Sequence, residues 1–401
     1  MYQPIILAGH VDAPLEDGGS VRVRIHHAHI EEDAGKLTHH GTHSLVDLNR
    51  AGTPLIEIVS EPDIHSAAEA KAYATELHRL MTYAGVTLGD LYHGNMRFDV
   101  NISVAKKGAT ELGTRAEVKN LNSFKSVERA AQYEFERQID LLEKGEKVVQ
   151  ETRGWDDAAG RTSSQRSKED AQDYRYMPDP DIPPVVLTKE EITEIQSTTP
   201  LLPPHYRANW ADLTLDTSVI NTVLNTRAVA ELLGDIYPFP QNKEAILESL
   251  EVDEMLYVAL VKRIFNWFAS TPEESMDVAH IKSGLVGPRR LLELARLVAD
   301  NKLSSTNAKQ VFLDLFDETY TGKAPLEIAE SKNLIQVSDT GAMDAIVEEV
   351  LADPASAKSI EDIKAGQEKA IGFLVGQVMK KSQGKANPAM AQEAIRKKLG
   401  V

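Results

Sequence analysis

A run of acidic residues follows a stretch of alternating polar and apolar residues near the start of the chain. Residues 20–30 read SVRVRIHHAHI, the pattern of a half-buried strand, and Glu31, Glu32 and Asp33 come directly after it. Adjacent carboxylates repel one another unless a cation lies among them, and Mg²⁺ prefers such oxygen ligands. The run therefore fits either part of a magnesium site or a solvated acidic turn.

A further carboxylate, Glu57, interrupts the apolar run LIEIV at residues 55–59, which is a second candidate strand. An ionised carboxylate that is buried without a partner is costly, so it requires an Arg, a Lys or a metal ion. The alternative is a strand with one solvent-facing side, on which Glu57 points outward. Together with the acidic run, Glu57 makes a two-carboxylate metal site more attractive than either feature alone.

Two later stretches, residues 97–103 and 115–119, carry polar side chains at every second position. Lys119 and Asn122 fall where the second strand passes into a helix, and free backbone N–H groups there add to side-chain donors in binding phosphate. The alternative is an exposed antiparallel face with cross-strand ion pairs. The candidate ligand-contacting residues are Arg97, Asp99, Asn101, Lys119, Asn120 and Asn122.

The C-terminal residues 363–401 contain eight basic and two acidic residues, although the whole chain has a formal net charge of −17. A small basic region on an acidic protein is typical of a nucleic-acid contact, because phosphates bind Lys and Arg. Cationic helix ends are the alternative explanation. The residues predicted to contact nucleic acid are Lys380, Lys381, Lys385, Arg396, Lys397 and Lys398.

The remaining composition excludes several classes of protein. The chain has no Cys, and the spacing of its six histidines within residues 26–43 does not match a zinc finger, so a zinc site is not supported. The absence of Cys also indicates a reducing cytoplasm. There is no apolar run long enough to cross a membrane and no secretory signal pattern, so we expect a cytoplasmic protein without membrane contact.

The candidate residues need a scaffold, and 401 residues predict two to three domains. Residues 1–198 alternate between strand patterns and two long helices, which predicts an α+β domain with a mixed or antiparallel sheet and helices on one face. Residues 199–324 and 325–401 show helical stripes instead, so we predict an all-α helical domain and a small all-α tail domain. The apolar stripe predicted for the second long helix comprises Phe124, Val127, Ala131, Phe135, Ile139 and Leu142.

Several longer runs resemble one family, the B subunit of the tRNA-dependent amidotransferase, known as the GatCAB complex. The tail segment GFLVGQVMKKSQGKANP at residues 372–388 is similar to that family's tail domain. These matches are long, ordered and spread over essentially the whole chain. The runs that carry the resemblance are HIEEDAGK (29–36), DLNRAGTPLIEIVSEPD (47–63), RFDVNIS (97–103), EVKNLNSF (117–124) and DYRYMPDPDIPP (173–184).

The resemblance implies a carbon–nitrogen ligase that uses glutamine as amido donor. Family members act on glutamate or aspartate misattached to tRNA(Gln) or tRNA(Asn). They use ATP and Mg²⁺ to phosphorylate the side-chain carboxylate, and ammonia then displaces the phosphate. The ammonia comes from a separate glutaminase A subunit, and a small C subunit completes the heterotrimer. The implied fold is a cradle-shaped catalytic domain, a helical domain and a tail that binds tRNA.

Position by position, the resemblance implies that Glu32 and Glu57 are the Mg²⁺-binding and catalytic carboxylates of the cradle. The polar residues in the runs at 97–103 and 117–124 are assigned to ATP or to the acyl end of tRNA as a hypothesis, and the tail lysines to tRNA phosphates. Family members also carry a substantial segment before the position of Met1, so we expect a truncated cradle. A truncated cradle leaves a rival hypothesis, a non-catalytic scaffold that only holds tRNA.

Overall fold

The structure is a computed structural model that describes residues 4–167, 186–238, 252–336, 340–382 and 386–400. The chain forms two compact units, Met1–Pro203 and Pro204–Val401. The sequence run at 173–184 and the predicted tRNA-binding residue Lys385 lie outside the described residues.

The described part of the first unit is built on nine strands in three sheets. One sheet has the order β1-β2-β5, β3 and β4 form a hairpin, and the third sheet has the order β6-β7-β8-β9. All neighbouring strands are antiparallel except β7 and β8, which are parallel. The strands are β1 His10–Pro14, β2 Ser20–Glu32, β3 Lys36–His40, β4 His43–Asp47, β5 Pro54–Ser60, β6 Phe98–Ile102, β7 Ala116–Leu121, β8 Glu151–Asp156 and β9 Arg161–Ser167.

Three helices accompany these strands: α1 Ala67–Tyr83, α2 Phe124–Glu143 and α3 Lys189–Thr198. The second helix, α2, packs against the four-stranded sheet, and α1 packs against α2 and against β1 of the first sheet. Small and apolar residues of both helices form one core with the apolar side of β7. This core includes Ala74 of α1, Val118 of β7 and Ala130 of α2. The predicted α+β architecture, with a mixed sheet and helices on one face, is confirmed.

The starts of α1 and α2 follow local capping chemistry. Ser66 and Ser123 occupy extended backbone positions before the helices, and each side chain accepts a backbone N–H from the first turn. These bonds satisfy donors that have no partner within the helix.

The buried face of α2 differs from the predicted apolar stripe. Glu134 and Gln138 are fully buried, whereas Phe135 and Leu142 are exposed. The reason is that Glu134 has cationic partners: Arg137 on the same helix donates two hydrogen bonds to its carboxylate, and the Nε atom of Arg153 of β8 lies 3.4 Å from it. A buried carboxylate is tolerated when it is paired, so the ion pair turns the polar side of the helix inward.

The second unit is helical throughout its described residues and confirms the predicted all-α architecture. Its first core is rich in aromatic side chains, with Trp210 and Phe265 4.8 Å apart between ring centroids and Phe268 and Phe312 5.0 Å apart. The helices of this part are α4 Pro203–Asn209, α5 Thr217–Val223, α6 Arg227–Ile236, α7 Glu254–Ala269, α8 Val278–Lys282, α9 Pro288–Ala299, α10 Ser305–Asp314 and α11 Pro325–Ser331.

The last four helices share a core of their own. Val347, Leu374, Val378 and Ile395 are fully buried within it. These helices are α12 Thr340–Ala352, α13 Ala357–Lys364, α14 Ile371–Lys381 and α15 Pro388–Leu399. The division into domains at 198 and 324 stays a prediction. Within the described ranges, every helix is too short or too polar for a membrane span.

Candidate functional site

The first sheet brings three metal-ligating side chains together near the end of β2. His29 lies directly opposite Glu57 in the antiparallel pairing of β2 and β5. Because side chains alternate between faces along a strand, Glu31 lies on the same face as His29. One ligand atom from each of these three residues lies within 4.8 Å of the other two. We call His29, Glu31 and Glu57 the His–Glu cluster.

His29 is the buried member of the His–Glu cluster. It is 6% exposed, whereas the side chains of Glu31 and Glu57 are 37% and 56% exposed. The Nε2 atom of His29 lies 2.9 Å from a carboxylate oxygen of Glu57 and 3.5 Å from one of Glu31. Nevertheless, neither ring nitrogen makes an aligned hydrogen bond within the described part of the chain. Burial of an unbonded polar atom is unfavourable, so a further partner for this nitrogen would stabilise the site.

Glu32 lies on the other face of the same sheet. It pairs with Pro54, and Ile30 pairs with Ile56 on that side, so the register separates Glu32 from Glu57. The expectation that Glu32 and Glu57 hold one ion together is therefore corrected: in this structure Glu31 and His29 share the face of Glu57. Glu57 is also half exposed rather than buried, which removes the desolvation argument made from its apolar neighbours.

The His–Glu cluster fits a divalent cation. Two ligands at adjacent positions of an octahedral Mg²⁺ ion, each about 2.0–2.1 Å from it, are about 3 Å apart. The separations from Nε2 of His29, 2.9 and 3.5 Å, are close to that value. Two carboxylates also offset the charge of such an ion, and their oxygens suit Mg²⁺ and Mn²⁺, whereas an imidazole ligand is more usual for Zn²⁺, Fe²⁺ and Ni²⁺. The unbonded imidazole nitrogen is the observation that favours this interpretation.

The four-stranded sheet presents a polar face on the side away from α1 and α2. Alternation along β6 and β7 places Asp99, Asn101, Glu117 and Lys119 on this side, with Thr152 of β8 opposite Glu117. We call these five residues the polar sheet face.

Two of the predicted residues that do not belong to the polar sheet face lie at the ends of strands. Arg97 precedes β6 and Asn122 follows β7, and both side chains are exposed. The helix after Asn122 begins with its first-turn N–H already bonded to Ser123, which uses one of the donors expected for phosphate. The assignment of Arg97, Asp99, Asn101, Lys119, Asn120 and Asn122 to ATP or the acyl end stays a prediction.

Lys119 is held between two carboxylates. Its Nζ atom lies 3.2 Å from Asp99 and 3.4 Å from Glu117. Burial by itself lowers the pKa of Lys119, but the charges of Asp99 and Glu117 outweigh burial and raise the pKa above its ordinary value. Lys119 is therefore cationic at neutral pH.

Asn120 has a left-handed backbone, with φ of 60°, and its N–H donates to the Asp99 carboxylate at 3.0 Å. A non-glycine residue in this region is strained by about 1–2 kcal/mol, so the bond to Asp99 helps to hold it.

The predicted tRNA-binding residues of the tail are largely engaged with acids. Lys381 lies 3.1 Å from Glu349, Arg396 lies 3.5 Å from Glu368, and Lys398 forms an ion pair with Glu348. Residues 340–401 contain nine basic and eight acidic residues, so this folded region is close to neutral. Exposed pairs are weak and open readily. Binding of tRNA by these residues, Lys380 and Lys397 included, stays a prediction, with less electrostatic support than the C-terminal count indicated.

Sequence reasoning missed four residues that the structure places at these sites, among them Thr152 of β8. His29 lies in the predicted strand and Glu31 in the acidic run directly after it, and alternation along β2 was sufficient to group them on one face. Which face Glu57 shares depends on the register of β2 with β5, which the sequence pattern did not reveal. Glu117 was in a quoted run but was given no role.

Comparisons with known proteins give matches in both the N-terminal and the C-terminal part of the chain. The family model for the GatB/GatE catalytic domain matches residues 1–193, and the model for the GatB domain matches residues 258–399. Curated relatives are named as the B subunit of aspartyl/glutamyl-tRNA(Asn/Gln) amidotransferase. Those of Alkalilimnicola ehrlichii and Halorhodospira halophila are each 43% identical, over 99% of this chain and 79% of the relative.

The relative from Polynucleobacter asymbioticus is also 43% identical, over 100% of this chain and 81% of its own length. The aligned region spans nearly the whole chain, so it includes the segments that carry the His–Glu cluster, the polar sheet face and the tail. The chain belongs to the family of B subunits of the tRNA-dependent aspartyl/glutamyl-tRNA(Asn/Gln) amidotransferase.

Proposed function

We propose that this protein uses ATP and Mg²⁺ to phosphorylate the side-chain carboxylate of Glu-tRNA(Gln), Asp-tRNA(Asn) or both, and then converts the acyl phosphate to the amide with ammonia. It would thereby act as a carbon–nitrogen ligase with glutamine as amido donor. The observation that carries the proposal is the His–Glu cluster, in which a buried imidazole without a hydrogen bond faces two carboxylates.

The proposed reaction has two steps, phosphorylation of the carboxylate and displacement of the phosphate by ammonia. A carboxylate oxygen of the substrate attacks the γ-phosphorus of ATP, the bond to the bridging oxygen breaks, and ADP leaves. The ammonia nitrogen then attacks the acyl carbon, the carbon–oxygen bond breaks, and phosphate and one proton leave. Phosphorylation is needed because a carboxylate is a poor electrophile. Phosphoryl transfer depends mainly on positioning and on neutralising negative charge.

The residues of this chain have separate parts in that reaction. His29, Glu31 and Glu57 would hold Mg²⁺, which when bound supplies positive charge next to the phosphates. Lys119 on the polar sheet face would bind phosphate oxygens as a fixed cation. Asn101 and Asn122 would donate hydrogen bonds to the nucleotide or to the acyl end.

The partners follow from the same proposal. The relatives are each named as a B subunit, which implies further subunits in the amidotransferase. We infer that a glutaminase A subunit supplies ammonia, that a small C subunit joins the heterotrimer, and that the tail binds tRNA phosphates through Lys380, Lys397 and neighbouring basic residues.

The test uses the chain alone with misacylated tRNA, ATP and Mg²⁺, and with ammonium in place of glutamine. Formation of amidated tRNA together with ADP is expected, because ammonium replaces the product of the glutaminase. Binding of tRNA without ADP formation would contradict the proposal and support the scaffold hypothesis.

A further inference from the structure

Glu117 occupies a central position on the polar sheet face. It lies opposite Asn101 of β6 and opposite Thr152 of β8, so it touches strands on both sides. The Thr152 hydroxyl donates a hydrogen bond to the Glu117 carboxylate at 3.2 Å. The Glu117 side chain is only 17% exposed, which is low for a carboxylate on an open sheet face.

The second oxygen of this carboxylate faces Lys119. Thr152 bonds to Oε2, while Oε1 lies 3.4 Å from the Lys119 Nζ atom. A hydrogen-bonded carboxylate loses rotational freedom, so its contact with Lys119 has a defined direction. Asp99 approaches the same ammonium at 3.2 Å, and the Lys119 side chain remains 40% exposed. The ammonium is thus fixed by two carboxylates but still open to solvent.

We propose that Glu117 is a positioning residue, which fixes the ammonium of Lys119 for contact with the phosphates of ATP and does not itself touch the substrate. The inference rests on the proposed function, since it assumes that Lys119 binds ATP. The chemistry is consistent: a phosphate oxygen repels a carboxylate and attracts an ammonium, and a cation held in one rotamer loses less freedom when the ligand binds.

The test is a double-mutant cycle on ammonium-dependent amidation with Glu117→Gln, Lys119→Ala and the double variant. Glu117→Gln should raise the KM for ATP about fivefold, the effect of a partly exposed ion pair, and leave kcat within about twofold. In the Lys119→Ala background the same substitution should change the KM for ATP by less than about twofold, because its effect passes through Lys119.

A matched control is available on the helical side of the unit. Lys71 is also held between two carboxylates, with Nζ 2.9 Å from Glu16 and 3.3 Å from Glu128. Glu128→Gln removes one carboxylate from that lysine, and the KM for ATP should stay unchanged. An increase with Glu128→Gln equal to that of Glu117→Gln would overturn the inference, because a general charge effect would explain both.

Two other results would overturn the positioning role. One is an unchanged KM in Glu117→Gln; the other is a full additional increase when Glu117→Gln is combined with Lys119→Ala. If the unaltered chain forms no amide at all, the proposed function fails by itself. The same cycle is then measured as the Kd for Mg·ATP by calorimetry, where the same pattern is expected, and absence of ATP binding would overturn the inference as well.

Discussion

The most discriminating prediction compares two neighbouring glutamates on opposite faces of β2 (Ser20–Glu32). Glu31→Gln and Glu57→Gln each remove one charged ligand from the His–Glu cluster, so both should raise the Mg²⁺ concentration needed for half-maximal amidation. Glu32→Gln makes the same chemical change one residue away, on the face that carries Ile30 and Ile56. The Glu32 variant should therefore behave like the unaltered chain.

The expected magnitude follows from the geometry of the His–Glu cluster. Two unit charges 4 Å apart attract by about 4 kcal/mol at an effective dielectric constant of about 20, and this serves as a conservative value for a divalent ion at the shorter ligand distance. Glu31 is 37% exposed, and the amide of Gln still offers an oxygen, so part of this energy is retained or screened. A net loss of about 2.7 kcal/mol corresponds to about 100-fold weaker Mg²⁺ binding.

The assay measures initial rates of ammonium-dependent amidation at saturating ATP while Mg²⁺ is varied. Thermal unfolding without Mg²⁺ serves as the control for folding, and all three variants should unfold close to the unaltered chain because these side chains are partly exposed. The reasoning is refuted if Glu32→Gln impairs the Mg²⁺ response as much as Glu31→Gln, or if neither Glu31→Gln nor Glu57→Gln changes it.

Three further predictions concern stability and tRNA binding. Ser123→Ala removes the cap of α2 (Phe124–Glu143) and should lower the free energy of unfolding by about 1 kcal/mol in urea, and no change would contradict the capping role. Side-chain and backbone hydrogen bonds from Arg24 lower the pKa of Asp63 from 3.8 to about 2, so this pair stabilises the fold fully above pH 3.8 and is lost as the pH falls toward 2. Asp63→Asn should make the urea midpoint of unfolding less dependent on pH over that range. A pH profile parallel to that of the unaltered chain would contradict the stabilising role of this pair. Lys380→Gln should reduce the salt slope of tRNA binding by about 1, whereas Lys398→Gln, which removes an ion-paired lysine, should reduce it less; equal slopes would argue against this distinction.

Local patterns in the sequence were sufficient for the elements that carry the sites. Alternation predicted β2, and an apolar run predicted β5 (Pro54–Ser60), because both signals depend on residues close together in the chain. The quoted runs were also sufficient to recognise the family. These features require no knowledge of which distant segments meet.

Which side chains share a site depends on how segments that are distant in the chain pair with one another. A shift of one residue in strand register exchanges the two faces, so only the pairing of β2 with β5 decides that Glu31 accompanies Glu57 and Glu32 does not.

The same distinction explains the two other corrections. Glu134 of α2 is paired with Arg137 on its own helix and also with Arg153 from a later strand, and Glu348 and Glu349 pair with lysines of the last two helices. The sequence thus determined the local elements and the family of this protein. Tertiary structure alone decided which charged side chains are neighbours, because electrostatic energy depends on distances in space and not on separation along the chain.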